Sequence, residues 1–333
     1  MTVLRRIAPA LFLLVLSPLI AEFLLGDFSV RQLALLPVFI PQYGGGALLV
    51  REVTRRTERG WPTMLLLALA YALVEEGFTT ETFFNPTYAG HRLLDYGYIP
   101  ALGTSLNWVA FVLALHIVWS IGSSIAIAEG LAGSRWKTPW TGKLGLSLTV
   151  ALFLVGCGFT IVVTARMFPY VATGHQFGAV ALATLAAVAT AFWFFPVHRR
   201  RLSGSPPSVW VVGAAALLLA SGFHALNERG AALGLPAAAT LAGMLLLQLL
   251  AVALLGRWSR RKGWQPNHAL AAAVGAVLTY GWISIVRMVL GGTALGLPTT
   301  KADVAGQILL LIGVLAAAYA GSRRLTSASG TTD

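Results

Sequence analysis

Long apolar runs separated by short polar stretches dominate the pattern of hydrophobic and polar positions along this 333-residue chain. Each run is long enough to cross a hydrocarbon core of about 30 Å as a helix. The pattern predicts an all-α, polytopic transmembrane bundle of about ten spans, numbered one to ten from the N-terminus. The predicted spans are Ile7–Leu25, Leu33–Val50, Trp61–Phe78, Ser105–Leu131, Leu144–Phe168, Phe177–Val197, Val209–Asn227, Ala231–Leu255, His268–Leu290 and Ala302–Gly321.

No linker long or polar enough to separate soluble domains interrupts this pattern. We therefore expect one integral membrane domain over residues 1–325 and a short polar tail over residues 326–333. The first run follows Arg5 and Arg6, as in a secretory signal, but it is long and no small-x-small cleavage site follows. We interpret it as an uncleaved first span.

The distribution of positive charge predicts the orientation of the bundle. Of the 24 Lys and Arg residues, eighteen fall at the N-terminus, in alternate loops and in the C-terminal tail. Cytoplasmic loops carry the excess of Lys and Arg, so both termini are predicted to lie inside. Only six such residues fall on the other, outer side: Arg31, Arg92, Arg166, Arg229, Arg287 and Lys301.

Composition narrows the class of protein further. Hydrophobic residues make up 57% of the chain, charged residues 11%, and the mean hydropathy is +0.75, as expected for a membrane protein. The net charge of +12 sits in short clusters between apolar runs, which favours anionic lipid headgroups as partners and argues against nucleic acid. Cys157 is the single cysteine, and neither CxxC nor HExxH occurs, so no metal and no cofactor are predicted.

Two adjacent carboxylates, Glu75 and Glu76, stand out at the outer end of span three. Ionisable residues inside a membrane are costly and mark functional sites by default. They could act as a general base, as metal ligands or as ion-coupling groups. The alternative is a structural role, in which Arg287 or Arg166 neutralises them as a buried ion pair.

Other polar residues are predicted at a similar depth, given the rise of about 1.5 Å per helical residue. They include His116 in span four and His224 with Asn227 in span seven. Residues three and four apart share a helix face, so spans three, four, seven and nine each carry a polar stripe. Four such helices facing one another would enclose a polar cavity, whereas spans six and eight are predicted to face lipid.

Span two contains the sequence PVFIPQYGGG, which is unfavourable for a regular helix. A kinked or broken helix is predicted at the depth of the acidic pair. Such backbone is tolerated only against protein or a water-filled cavity. Gln42 and Tyr43 are therefore candidate substrate-binding residues, as is Arg287 at the outer end of span nine.

The order of these residues resembles that of the type II CAAX prenyl endopeptidase and bacteriocin-immunity membrane proteins, the CPBP family. That family carries EExxxR, then FxxxH, then HxxxN or HxxxD. Glu75 and Glu76 match the acidic pair, His116 the second motif, and His224 with Asn227 the third. Thr80 stands in place of the arginine, Val112 in place of the phenylalanine, and Asn227 follows its histidine by three residues instead of four.

The resemblance implies glutamate-dependent peptide hydrolysis inside the membrane, or a relative that has lost catalysis together with the arginine. Glu75 or Glu76 would activate water, and His116 or His224 with Asn227 would hold the oxyanion. The residues leave two other hypotheses open, an ion- or proton-coupled transporter and a non-catalytic scaffold. In each case we expect a multi-pass protein of the cell membrane, with a membrane-embedded peptide or a small molecule as a possible substrate.

Overall fold

A computed structural model describes residues 3–194 and 201–329. Ten helices in these ranges are long and apolar enough to cross a membrane, which confirms the predicted all-α, multi-pass fold. The end of predicted span six at Val197, together with Arg199, Arg200 and residues 330–333, lies outside the described ranges. The observed spans are Arg6–Leu24, Val30–Arg56, Trp61–Thr79, Leu106–Arg135, Lys143–Met167, Gly174–Trp193, Val209–Arg229, Ala237–Trp258, Pro266–Val289 and Lys301–Ala328.

Spans five to ten are each one α-helix, whereas spans one to four are composite. The regular helices are Lys143–Met167, Gly174–Trp193, Val209–Arg229, Ala237–Trp258, Pro266–Val289 and Lys301–Ser329. Span one joins the α-helix Val3–Pro18 to the π-helix Leu19–Leu24, and span three joins the α-helix Trp61–Val74 to the π-helix Glu75–Thr79. Span four comprises the α-helix Leu106–Ala114, the π-helix Leu115–Ser123, the α-helix Ser124–Ala132 and the 3₁₀-helix Gly133–Arg135.

Span two changes helix type three times, which confirms the irregularity predicted from its prolines and glycines. It passes through a 3₁₀-helix at Val30–Leu35, an α-helix at Leu36–Phe39, a π-helix at Ile40–Gly44 and an α-helix at Gly45–Arg56. The glycines also allow close packing. A Cβ on Gly44 would lie 2.1 Å from the carbonyl oxygen of Leu14, and one on Gly46 would lie 2.2 Å from the ring of Tyr71.

Spans three and four are the most buried of the ten helices in the described structure. Within its most apolar window, span four is 78% buried and span three 67%, whereas spans six and eight are only 17% and 11% buried. Spans six and eight thus lie at the periphery, as predicted. Span seven, which was expected beside the acidic pair, is only 17% buried and packs mainly against spans nine and eight.

A network of ion pairs lies at the end of span two opposite the acidic pair. Arg55 binds Glu129 of span four at 2.6 Å, and Arg51 binds Glu129 at 3.2 Å and Glu52 at 2.6 Å. The Arg51 guanidinium also stacks 3.4 Å above the ring of Trp140. The prediction that span two ends at Val50 was wrong, because these partners let the helix bury its arginines and continue to Arg56.

The long connection between spans three and four is folded against the bundle. It contains the 3₁₀-helix Tyr88–Gly90 and a hairpin of the strands Tyr98–Ile99 and Thr104–Ser105. The Tyr96 hydroxyl donates at 2.8 Å to the carbonyl oxygen of Leu235, two residues before span eight begins. We call the side of the bundle that carries this connection the loop face.

The arginine network generates a prediction about stability. Glu129→Gln leaves Arg51 and Arg55 buried without their shared counter-ion, a change that costs about 3 kcal/mol or more in buried pairs. We expect a lower free energy of unfolding in detergent, measured by denaturant titration. Asp95→Asn is the matched control because its pair with Arg92 is exposed, and such pairs contribute about 1 kcal/mol or less. Equal losses in the two variants would contradict the structural role of the network.

Candidate functional site

A buried histidine lies between the two carboxylates of the acidic pair. His116 Nε2 lies 2.6 Å from Glu76 Oε1, and His116 Nδ1 lies 3.3 Å from Glu75 Oε2. The three residues are only 3–5% exposed. The structure therefore brings together the acidic residues of span three and the histidine of span four, at distances suited to proton transfer.

The second oxygen of Glu76 is held by hydroxyl groups from the loop face. Thr80 Oγ1 donates to Glu76 Oε2 at 3.1 Å, and Thr82 Oγ1 donates to the same atom. Trp108 Nε1 in turn donates to Thr82 Oγ1 at 3.2 Å. Both oxygens of Glu76 are thus occupied, so this carboxylate is fixed in place and orients His116.

The carboxylate of Glu75 is less engaged than that of Glu76. Its Oε2 is buried and accepts no hydrogen bond from a described residue, although it lies near His116 Nδ1. The hydroxyl of Tyr71 interacts electrostatically with this carboxyl group and likewise has no hydrogen-bond partner in the described structure. A buried donor and a buried acceptor that are both unsatisfied mark a position where another polar group can bind.

Two tyrosine rings enclose the His116 imidazole. Tyr43 stacks on it with ring centroids 5.9 Å apart, and Tyr71 meets it edge-on at the same distance. The predicted candidate Tyr43 is therefore in contact with the site. Its neighbour Gln42 instead ties helices together, because it donates to Thr79 Oγ1 at 3.0 Å and accepts from Thr160 Oγ1.

Most of these residues, although not Tyr71 in the α-helix Trp61–Val74, lie in π-helical segments. Glu75 and Glu76 open one such segment, His116 lies in a second, and Gln42 and Tyr43 lie in a third. In span three, the Thr80 amide bonds to the Glu75 carbonyl oxygen at 2.9 Å, five residues earlier. The wider π-turn rotates the side chains that follow it, and such turns occur frequently at functional sites.

Two further acidic residues lie beside this cluster. Glu22, in the π-helical end of span one, is 9% exposed, and Asp27 is half-buried in the turn that follows. The Glu22 carboxyl group interacts electrostatically with Glu75, His116 and Asp27. Glu22 lies within the first predicted span and Asp27 between two predicted spans, and neither was among the predicted site residues.

His224 belongs to a different cluster from the acidic pair. Its ring is fully buried among the rings of Phe111, Trp119, Phe223 and Tyr280, with centroids 5.0–5.9 Å away. Its nearest described charged group is Glu228, with Nδ1 and Oε1 3.8 Å apart. No described contact joins it to the Glu75–His116–Glu76 cluster, so the single cavity expected between four polar stripes does not appear in this form.

The remaining candidates also lie apart from the carboxylates. Asn227 is half-buried and makes no side-chain hydrogen bond with the described residues. Arg287 binds Glu228 at 2.7 Å and donates to the carbonyl oxygen of Leu25. Arg166 is exposed. Neither arginine pairs with Glu75 or Glu76, so the expected structural ion pair is not observed; His116 takes that place.

The described residues contain no group of three or more His, Cys, Asp or Glu side chains arranged to hold a metal ion. The donor atoms of Glu76 are bound to His116 and to threonine hydroxyls instead. Two carboxylates that lie 2.6 and 3.3 Å from the nitrogens of one imidazole are suited to proton transfer.

The hydroxyl contacts of Glu76 generate a prediction. Thr82→Val removes a donor to Glu76 and an acceptor for Trp108, and an unsatisfied buried polar group costs about 1–3 kcal/mol. We expect a lower free energy of unfolding in detergent, measured by denaturant titration. Thr87→Val is the control because that side chain is exposed in the same connection. A Thr82 variant as stable as the Thr87 variant would show that these hydrogen bonds do not hold Glu76.

Comparisons with known proteins place the chain in a family. A family model described as an uncharacterized membrane protein family matches residues 11–329. No curated protein and no solved structure matches the chain. The family match covers nearly the whole sequence, including every residue of the Glu75–His116–Glu76 cluster. The chain therefore belongs to this uncharacterized family of membrane proteins.

Proposed function

We propose that the chain is a glutamate-dependent intramembrane hydrolase in which Glu75 is the general base. The observation that carries the proposal is the unequal engagement of the two carboxylates. Glu76 is held by His116 Nε2 and two threonine hydroxyls, whereas buried Glu75 Oε2 has no hydrogen-bond partner among the described residues and faces His116 Nδ1. One carboxylate orients the imidazole, and the other is available to a substrate water.

In the proposed reaction, Glu75 removes a proton from water while the water oxygen forms a bond to a peptide carbonyl carbon. The carbonyl electron pair moves to its oxygen, and the Tyr71 hydroxyl, which has no hydrogen-bond partner in the described structure, donates to that oxyanion. The C–N bond then breaks, and the proton held by Glu75 passes to the leaving amine. A general base contributes about 10²–10⁴ in rate, and one oxyanion donor about 10²–10³.

The resemblance to the CPBP family supports this proposal through Glu75, Glu76 and His116. It gives no support through His224 and Asn227, because the aromatic rings around His224 separate it from the carboxylates. In our proposal, Tyr71 takes the oxyanion role that the resemblance implied for these two residues. The substrate class is a peptide bond of a membrane-embedded segment.

A proton- or ion-coupled transporter is the second candidate, and the surplus of acidic groups favours it. Glu22 and Asp27 add two carboxyl groups to the acidic pair, and all four interact electrostatically with the single imidazole of His116. Clustered intramembrane carboxylates are typical of proton relays in pumps and transporters. This candidate requires net movement of protons or ions across the bilayer, which hydrolysis does not.

The test uses membranes from cells that lack the gene, mixed with the purified protein in detergent. New protein N-termini are labelled and identified by mass spectrometry. We expect termini within membrane segments that appear with the wild-type protein and are lost, by at least about 10²-fold in rate, with Glu75→Gln. Glu81→Gln is the matched control, because this loop glutamate binds the Ala172 amide and does not touch the cluster.

The same variants distinguish the two candidates. Wild-type protein in vesicles that contain a pH-sensitive dye should show no proton flux when a pH gradient is imposed. The hydrolase would be rejected and the transporter supported by two results together: a proton flux that is lost in Glu75→Gln, and a set of N-termini that is the same with the wild-type protein and with Glu75→Gln. If the wild-type protein and Glu75→Gln gave identical results in both assays, both candidate functions would be rejected.

We propose further that the protein lies in the cell membrane with both termini inside, which puts the acidic cluster toward the outer face. The support is the excess of Lys and Arg on the side that carries the termini. Green fluorescent protein fused after residue 333 should fluoresce, and alkaline phosphatase fused there should be inactive. The opposite pattern would invert the orientation.

A further inference from the structure

Two acidic side chains beside the buried cluster, those of Glu22 and Asp27, have no role in the proposed hydrolysis. Glu22 and Asp27 lie at the end of span one, where the Asp27 amide donates to the Glu22 carbonyl oxygen at 3.0 Å. This turn holds the two carboxyl groups within electrostatic reach of each other. Asp27 is half-buried, whereas Glu22 is buried, so the pair leads from the surface of the bundle inward.

Tyr43 continues the connection from Glu22 to the site. Its hydroxyl interacts with the carboxyl groups of both Glu22 and Glu75, while its ring stacks on His116 at 5.9 Å and an interplanar angle of 25°. A phenolic hydroxyl can donate one proton and accept another. Tyr43 is therefore placed between the two carboxyl groups as a group that can pass a proton in either direction.

The imidazole of His116 completes the sequence. Its Nδ1 lies 3.3 Å from Glu75 Oε2, and its Nε2 lies 2.6 Å from Glu76 Oε1. An imidazole that gains a proton on one nitrogen can lose one from the other. The order Asp27, Glu22, Tyr43, Glu75, His116 and Glu76 thus joins the half-buried Asp27 to the buried acidic pair through groups that all exchange protons.

Several buried polar atoms beside these residues lack hydrogen-bond partners within the described structure. A further proton-bearing group can therefore bind among them. Glu75 Oε2 and the Tyr71 hydroxyl are buried and lack hydrogen-bond partners among the described residues. The Tyr280 hydroxyl, which faces Glu22 and Asp27 from span nine, is buried and unpartnered as well. These atoms lie on spans three and nine around the acidic groups, so the cluster is not a closed set of ion pairs.

The surrounding charges favour proton exchange at Asp27. Arg287 faces it from span nine and favours the carboxylate, and Glu76 and His116 face it from spans three and four. Burial outweighs the arginine and raises the pKa of Asp27 to about 7. Near neutral pH this carboxyl group is therefore divided between its protonated and ionised forms.

We propose that Asp27, Glu22 and Tyr43 form a proton-transfer route between the surface of the bundle and the Glu75–His116–Glu76 site. In the inward step, protonated Glu22 gives its proton to the Tyr43 oxygen as the existing Tyr43 O–H bond breaks and that proton binds Glu75. Tyr43 ends with one proton, as it began, and the charge moves from Glu75 to Glu22. The proposal goes beyond hydrolysis and holds whether or not peptide bonds are cleaved.

The test measures how fast the buried carboxyl groups gain protons after a pH jump. Purified protein in lipid nanodiscs is moved from about pH 8 to about pH 5, across the range where perturbed carboxyl groups titrate. The carbonyl stretch of protonated carboxyl groups is followed by time-resolved infrared spectroscopy. The band of Glu75 is assigned by its loss in Glu75→Gln.

We expect Tyr43→Phe to slow the rise of the Glu75 band by about tenfold or more, equivalent to a barrier about 1.4 kcal/mol higher, with its final amplitude kept. Tyr71→Phe is the matched control, because it removes a hydroxyl that interacts with Glu75 and, within the described structure, not with Glu22. Glu22→Gln interrupts the route on a different helix and should also slow the rise of the Glu75 band. The proposal can therefore still be tested if Tyr43→Phe folds poorly.

An unchanged rate in both Tyr43→Phe and Glu22→Gln would overturn the proposal, as would equal slowing by Tyr71→Phe. The infrared readout contains no substrate, so this failure is distinct from a failure of the hydrolase assay. Normal proton uptake with no cleavage would reject only the hydrolase.

Discussion

The hydrogen bond between Glu76 and His116 is the interaction on which the rest of the polar interior depends. Ionisable groups inside a membrane are costly unless they are paired, and this contact gives each residue a partner 2.6 Å away. It also fixes which imidazole nitrogen faces Glu75. The proposed roles, in which Glu76 is held in place and Glu75 is available to a substrate water, follow from this contact.

The backbone of spans one to four makes that contact possible. The π-turns at Glu75–Thr79 and Leu115–Ser123 shift the facing side chains relative to a regular α-helix. Glycines at positions such as Gly46, which lies against the ring of Tyr71, let the helices approach closely. At the opposite end of the bundle, Glu129 neutralises two buried arginines and joins spans two and four. Close packing beside the site and buried ion pairs at the opposite end thus join the helices that carry it.

Much of the fold could be predicted from the sequence, because a span of about 20 apolar residues is a strong and local signal. Depth along the helices also brought Glu75, Glu76 and His116 to one layer, where the structure pairs them. Depth does not specify which helices are neighbours. His224 was therefore grouped with the carboxylates, although its helix packs against span nine and its ring lies among aromatic residues.

Other features could not be predicted from the sequence because they depend on tertiary contacts. Thr82 lies in a connection, and only the folded chain brings its hydroxyl to Glu76. Arg51 and Arg55 indicated a loop by their charge, since their partner Glu129 is more than 70 residues away. Asp27 fell outside every predicted span, yet it adjoins Glu22 at the edge of the cluster.

Magic-angle-spinning NMR of the protein in lipid bilayers, with ¹⁵N-labelled histidine, tests the central contact most directly. The His116 signals are identified by their loss in His116→Gln. We expect the Nε2 signal to show a hydrogen bond and to change mainly in Glu76→Gln, whereas the signal of Nδ1, which lies 3.3 Å from Glu75 Oε2, changes mainly in Glu75→Gln. His116 signals that neither substitution alters would contradict the paired site, and with it the proposed chemistry.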